Sequence, residues 1–235
     1  AAVHSWFEMN QFTHLIHLAA IVSVDRVNSD PLRACETNVL GVYHICSEII
    51  RTQKNCWLFL ASTAHVYQGS APVNGEKLRE SSPLKPITFY GQTKLMAEQM
   101  AWPLLQQYGK SGCIGRIFSF THQSQKEPYL VPTLWKRIQL LPEGGTLKLI
   151  NHKSVRDILD AETVVDCILH LLCGKYSGII NIGSGEGKKI EEIAKHIAAL
   201  QNKQIQICQA NQSPPDSLIA DVTNLKKFLL EQAVQ

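Results

Sequence analysis

The sequence predicts an α/β protein, a doubly wound parallel sheet joined to a smaller α/β lobe, and three observations carry that prediction. Short apolar runs alternate with longer amphipathic ones, the pattern of strands separated by crossover helices. The strand-like runs are apolar on both faces, as burial between two helical layers requires. The 235 residues, 45% hydrophobic and 18% charged, supply enough chain for one large core and a lesser one.

In chain order, THLIHLA (13–19), CWLFLAS (56–62) and CIGRIFSF (113–120) read as strands. Between the first two, residues 30–53 form a helix candidate, with Asp30 as N-cap and Pro31 in the first turn, where a missing N–H costs nothing. Residues 87–109 form a second helix. Past residue 120 the rhythm loosens. A helix over about 128–141 leads to a turn at Gly144 and Gly145 and a strand, LKLI. A helix near 161–173, a strand GIINIG, a helix KKIEEIAKHIAAL and a strand-like QIQIC follow, and NQSPPDS (211–217) is a proline-bearing loop. Residues 1–122 thus make the sheet domain and 123–235 mainly the second lobe, with about 155–183 woven back into the first. The chain carries no internal repeat and no low-complexity tract.

A net charge of +3, evenly spread, is too small to announce nucleic acid as a partner, and a small-molecule role in aqueous surroundings is expected. Seven cysteines, without any C-x-x-C and mostly within apolar segments, read as reduced core residues of a cytoplasmic protein. His14 and His17 stand three apart with no second ligand pair, so no metal site is expected. No apolar run reaches membrane-spanning length, and the opening AAVHSWFEMN lacks the basic start and apolar centre of a signal peptide.

The stretch FYGQTKLMAE (89–98) sets Tyr90 four residues before Lys94. On a helix these are neighbours on one face. A cation beside a phenol favours phenolate, drawing a tyrosine of ordinary pKa about 10 toward the range where it serves as general acid or base. The plainer reading is a solvated surface pair. In open α/β sheets ligands settle at the carboxyl ends of the strands. There, Ala19 and Ala20 leave room for a flat cofactor after the first strand, and Ser62 and Thr63 place hydroxyls at the tip of the second.

Taken together, HLAA (17–20), N-V-L-G (38–41), S-T-x-x-V-Y (62–67), P-x-x-x-Y-x-x-x-K ending at Lys94, the Arg116 strand and V-R-D-I-L-D (155–160) fall in the order seen in one family. The chain resembles the extended short-chain dehydrogenases/reductases, the NAD-dependent epimerase/dehydratase family. Through RIFSFTHQSQKEPYLVPTLWKRI its look is nearest to the branch of GDP-4-keto-6-deoxy-mannose reductases and nucleotide-sugar epimerases. The resemblance implies a Rossmann-like fold, NAD or NADP as cofactor, a nucleotide-sugar substrate and a homodimer formed through the helices that carry Asn38 and Tyr90. It implies that Tyr90 is the acid/base, that Lys94 lowers the phenol's pKa and bonds the nicotinamide ribose, and that Thr63 hydrogen-bonds the reacting sugar oxygen. Leu18, Ala19, Ala20, Ser62 and Phe118 match positions lining the cofactor cleft, and Ser119, Lys136 and Arg156 match substrate positions, the last two facing the nucleotide diphosphate. The activity so implied is that of an NAD(P)-dependent nucleotide-sugar oxidoreductase or epimerase. Plainer roles stand beside these: Ser62 and Thr63 capping a strand end, Arg156 paired with Asp157 or Asp160, Asn38 as a buried bridge.

The sequence also departs from the pattern. The Asp-Glu pair with which the family's dehydratases remove water is replaced by Ala64 and His65, which argues against dehydration. Ser119 replaces the asparagine of R-x-x-N, His122 and Gln123 replace a glycine-proline, and Ser213 stands where an arginine is expected. No Gly-rich phosphate-binding turn precedes HLIHLAA, and GSGEGKK (183–189) fits neither the dinucleotide nor the P-loop spacing. These departures lead to the expectation that a first β-α-β unit is missing from the chain. They also sustain an alternative, a catalytically inactive fragment or family member that acts as a binding or assembly subunit.

Overall fold

The computed structural model describes residues 2–53, 55–70, 76–210 and 215–233. Helix α1 (Ala2–Met9), which the periodicity did not announce, buries only Phe7, set edge-on to Phe12 with ring centroids 5.2 Å apart. Strand β1 (His14–His17) follows, then the short helices α2 (Val24–Ser29) and α3 (Pro31–Cys35). Asp30 caps α3 as expected, its carboxylate accepting from the Arg33 N–H at 3.1 Å with Pro31 in the first turn. The helical path continues through a π turn (Glu36–Leu40) into α4 (Gly41–Thr52), so the predicted helix is present with a bulge inside it. Asn38 lies on that bulge, 1% exposed. Its amide brackets Ile21, accepting from the N–H at 2.8 Å and donating to the carbonyl at 2.9 Å, and donates to Thr93 Oγ1 at 3.1 Å. The buried bridge read from the sequence is what the structure contains, and it pins the loop after β1 to helix α5 (Phe89–Gln107).

Strands β2 (Trp57–Thr63) and β3 (Gly112–Ile117) run through the middle of the molecule. The predicted 113–120 strand divides at Phe118, and β4 (Ser119–Thr121) leaves to pair with β7. The second half comprises α6 (Leu130–Gln139), β5 (Thr146–Leu149), β6 (Val155–Arg156), β7 (Ile158–Asp160), α7 (Ala161–Cys173), β8 (Gly178–Ile182), β9 (Lys188–Lys189), α8 (Ile190–Leu200), β10 (Gln206–Gln209), β11 (Ser217–Leu218) and α9 (Thr223–Ala233). Strand β8 returns to the main sheet, whose order is β1-β2-β3-β8 with every pairing parallel.

Period-two alternation builds the two helical layers. Leu58 and Leu60 point to α4 and α5, packing with Ile49, Ala101 and Leu105. Trp57 and Phe59 point to the opposite face, with Ile168 and Leu171 of α7 and Leu225 of α9. The expectation of burial on both faces holds for β2 and β3 and fails for β1. Among the described residues that strand pairs only with β2, and its Ile16 is 39% exposed. A separate core joins α6, β5 and α8 through Leu134, Ile138, Leu147, Ile193 and Ile197. Among the described residues no helix is long and apolar enough to cross a membrane.

Candidate active site

Helix α5 presents Tyr90, Lys94 and Glu98 inward on successive turns, 9%, 5% and 3% exposed. The helix starts where it does because the Thr88 hydroxyl accepts from the Gly91 N–H at 3.1 Å. Gly91 is required there: a Cβ would stand 2.9 Å from the His65 carbonyl oxygen and 3.0 Å from Pro86. This close approach brings the first turn of α5 against the turn after β2, and so the phenol to Thr63, itself 7% exposed.

The electrostatics differ from the sequence expectation. Burial pushes the Tyr90 phenol up to about 12, with the adjacent Thr63 hydroxyl acting the other way and Tyr129 adding to the rise. Lys94 is not among the groups that set the phenol's ionisation, so the expected lowering by the lysine is corrected. Desolvation outweighs a charge that acts elsewhere. The ammonium is itself brought down to about 8 by burial, opposed by Glu98, and its charge, after burial, lowers His17. Lys94 makes no hydrogen bond among the described residues, and His17 Nε2 is buried without a partner. A buried cation and an orphaned ring nitrogen at the end of β1, next to the small side chains of Ala19 and Ala20, fit the hydroxyl-rich ribose end of a nicotinamide cofactor.

Ser62 does not join this group. Its hydroxyl donates to Glu98, whose carboxylate receives Arg116 in a fork, Nη2 donating to Oε2 at 2.7 Å and Nε to Oε1 at 3.2 Å. Arg116 also donates to the Tyr67 hydroxyl at 2.7 Å, and that hydroxyl donates to Asn181 at 2.9 Å. Phe118, matched to the cofactor cleft, is 3% exposed and sits in the core with its ring 6.3 Å from that of Tyr67. Leu18 and Ala19 are exposed, and Ala20 forms part of the wall of a cavity of about 570 Å³ opposite Glu127 and Tyr129. Ser119 is exposed at the start of β4.

The cations matched to the diphosphate both have carboxylate partners. Arg156 pairs with Asp216 at 3.0 Å, not with Asp157 or Asp160, and Lys136 pairs with Glu127 beside the cavity. Ser213 lies outside the described residues. Sequence reasoning passed over Glu98 and Tyr129. Glu98 was signalled by its place one turn beyond Lys94 on the same face, whereas Tyr129 reaches the site only through the path of the chain between β4 and α6.

The GSGEGKK turn carries an anion of its own. The Asp157 carboxylate, 0% exposed, accepts from the Ser184 N–H at 2.8 Å and its hydroxyl at 2.6 Å, from the Gly185 N–H at 2.9 Å and from the Ala220 N–H at 3.1 Å. A Cβ on Gly183 would meet that carboxylate at 2.8 Å, and Gly185 has φ +77. Amides that elsewhere receive a phosphate are here closed by a side chain. Asp157→Ala is therefore expected to destabilise the chain by about 3 kcal/mol or more, since buried donors lose a charged acceptor. Urea denaturation at neutral pH measures it.

Comparison with known proteins places this arrangement. GDP-6-deoxy-D-mannose reductase of Pseudomonas aeruginosa is 25% identical over 205 residues, 83% of this chain and 65% of that protein. UDP-glucose 4-epimerase of Azospirillum brasilense is 25% identical over 239 residues, 92% of this chain and 66% of that protein. The chain thus spans about two thirds of the length of these relatives. Among solved structures, RMD from Pseudomonas aeruginosa complexed with NADPH superposes with a TM-score of 0.81 at 22% identity, covering 92% of this chain and 74% of that one. The UDP-glucose 4-epimerase of Thermus thermophilus, in complex with NAD, superposes with a TM-score of 0.81 at 23% identity, covering 96% and 74%. These neighbours establish the Rossmann-like α/β fold that the alternation of strands and helices predicts. The profile of the NAD dependent epimerase/dehydratase family matches residues 1–183, a span that contains the whole Thr63, Tyr90 and Lys94 constellation, and the chain belongs to that family.

Proposed function

We propose that the chain forms the catalytic part of a nucleotide-sugar reductase or epimerase that uses NAD or NADP. The observation that carries this is the convergence of Thr63, Tyr90 and the hydrogen-bond-free ammonium of Lys94 at the carboxyl ends of β1 and β2, in a chain of this family. The nicotinamide, when bound, supplies the hydride exchange. The chain's own residues handle the proton. Tyr90 gives it to, or takes it from, the sugar oxygen on the reacting carbon, and Thr63 holds that oxygen in line. Lys94 binds the ribose hydroxyls beside the phenol, and filling the cleft brings its charge into play on Tyr90. Arg156 and Lys136 meet the diphosphate by exchanging their carboxylate partners for phosphate oxygens. The proposal extends to a two-fold dimer through α4 and α5, where Tyr43 and Met96 are 46% and 37% exposed.

The test is titration of the full-length protein with NADH and NADPH, followed by turnover assays on UDP- and GDP-hexoses. Absence of any cofactor binding removes the reading and leaves the binding or assembly subunit, which the ion pairs already occupying Arg156 and Lys136 favour. Tyr90→Phe is expected to cut kcat by about 100-fold or more while leaving cofactor affinity within about twofold, the mark of a lost proton donor.

A further inference from the structure

A cavity of about 570 Å³ lies between the start of α2 and the turn that leads into α6, and the charges on its two walls are unevenly matched. Asp25 and Arg26 stand on the α2 wall, Glu127 and Tyr129 on the other. Arg26 is exposed, and among the described residues its guanidinium has neither a hydrogen bond nor an ion pair. Asp25 does not serve it, because adjacent residues on a helix do not face each other. Glu127, by contrast, is held by Lys136 of α6. That pair is open to water, with side chains 43% and 60% exposed, so its attraction is screened and its partners exchange readily. Tyr129 sets the cavity at the reacting end of the cleft, since it is one of the groups that act on the Tyr90 phenol.

Meeting a diphosphate takes Lys136 away from Glu127. The carboxylate is then left without a cation, in a cavity from which the substrate displaces water and where an unmatched charge costs more than it does in the open. We propose that Arg26 takes over Glu127 when the diphosphate of a nucleotide-sugar takes Lys136, and that this exchange of partners draws the two walls of the cavity together over the bound substrate. The inference deepens the nucleotide-sugar reading and rests on it. Charge is conserved through the exchange. Before it there is one ion pair and one unengaged guanidinium; after it Lys136 meets phosphate and Arg26 meets Glu127. A guanidinium suits the second place, because its planar fork offers a carboxylate two parallel N–H groups. Arg26 acts through Glu127 and touches no reacting atom, which makes it a positioning residue.

The experiment is a double-mutant cycle on the full-length protein, read by KM for the UDP- or GDP-hexose that the wild type turns over and by the Kd of UDP or GDP itself. Arg26→Gln is expected to raise both about tenfold and to leave kcat within about threefold. Its urea midpoint should match that of the wild type, since the guanidinium has no partner to lose in the free protein. Glu127→Gln removes the carboxylate that has to be paired again, so adding Arg26→Gln to it should cost no more than about twofold. Arg26→Lys, which keeps the charge without the fork, should fall between wild type and Arg26→Gln. Equal losses from Arg26→Gln with and without Glu127 would mean that Arg26 meets the phosphates directly or only shapes the wall. That result, or no loss at all, would overturn the exchange and leave the enzyme reading intact. A Lys136→Met variant that binds UDP or GDP as tightly as the wild type would overturn the exchange at its first step. A wild type inert toward all UDP- and GDP-hexoses would instead overturn the underlying reading, and this one with it.

Discussion

Lys94→Met is expected to make the folded chain more stable at pH 7 by up to about 3 kcal/mol while abolishing the cofactor-dependent turnover proposed for it. The lysine is 5% exposed, and burial takes its ammonium from an ordinary 10.5 to about 8. The sign follows from which state holds the proton. The unfolded chain keeps it up to 10.5 and the folded chain releases it near 8, so the unfolded state binds more protons between those values. Stability is therefore depressed below pH 8 and rises as pH climbs from 8 to 10.5. Methionine keeps the apolar stem and has no charge to desolvate, so its stability should be flat across that window. Tyr90 does not obscure the comparison if the upper measurement is made at pH 9.5. Its phenol, raised from 10.0 to about 12, contributes stability that is fully present below 10 and lost as pH rises toward 12. Urea unfolding of both proteins at pH 7 and pH 9.5, beside a cofactor-dependent turnover assay, measures both effects. A loss of about 100-fold or more in turnover with a gain in stability would mark the ammonium as a group kept for its ligand at the expense of the fold. A variant less stable than the wild type at pH 7 would show that the ammonium is held by a partner in the chain.

The contrast between that pair's spacing and its electrostatics shows what the sequence could and could not reveal. Spacing alone placed Tyr90 and Lys94 on one helical face, the helix expected near 161–173 is present as α7, and Asp30 with Pro31 marked the start of a helical run correctly. These are local consequences of periodicity and capping. The direction of the phenol's shift was not legible, because it depends on how completely helices and strands distant in sequence exclude water from the cleft. Ser62 and Phe118 sit at the right strand ends and point away from the cleft, a matter of register: Ser62 lies opposite Arg116 across β2 and β3, and its hydroxyl follows the buried charges. Helix α1 was missed since it is only eight residues long and buries a single side chain. Asp157, by contrast, had a readable hint, a carboxylate in V-R-D-I-L-D and a glycine-rich turn that fits no phosphate motif; only the fold brings them together.

Arg116→Met is expected to destabilise the chain by about 3–5 kcal/mol, the largest single-site loss predicted among the residues behind the cleft. The guanidinium is 2% exposed and its carboxylate partner Glu98 is 3% exposed, so removing one leaves the other charged and uncompensated inside the protein. Methionine also takes a donor from the Tyr67 hydroxyl and from the Glu80 carbonyl, 2.7 Å and 2.9 Å away. Lysine cannot repair this, because a point charge does not reproduce the two-pronged contact with the carboxylate. Replacing both partners, Arg116→Met with Glu98→Leu, should recover much of the loss, since a buried pair weighed against apolar residues of similar volume comes out near neutral. The consequence for the site runs through Lys94. Glu98 is the charge that opposes the desolvation of the ammonium, so the double variant should fold and yet leave the Lys94 ammonium depressed further. The cation proposed to bind the ribose would then be less protonated at pH 7, and cofactor affinity should fall although neither substituted residue is assigned to the cofactor. Urea denaturation of the single and double variants, with NADH and NADPH titrations of the double, separates the two roles. Full stability with full cofactor affinity would show that Glu98 serves only Arg116, whereas full stability with weakened binding would show that the ion pair is there to keep a buried lysine charged.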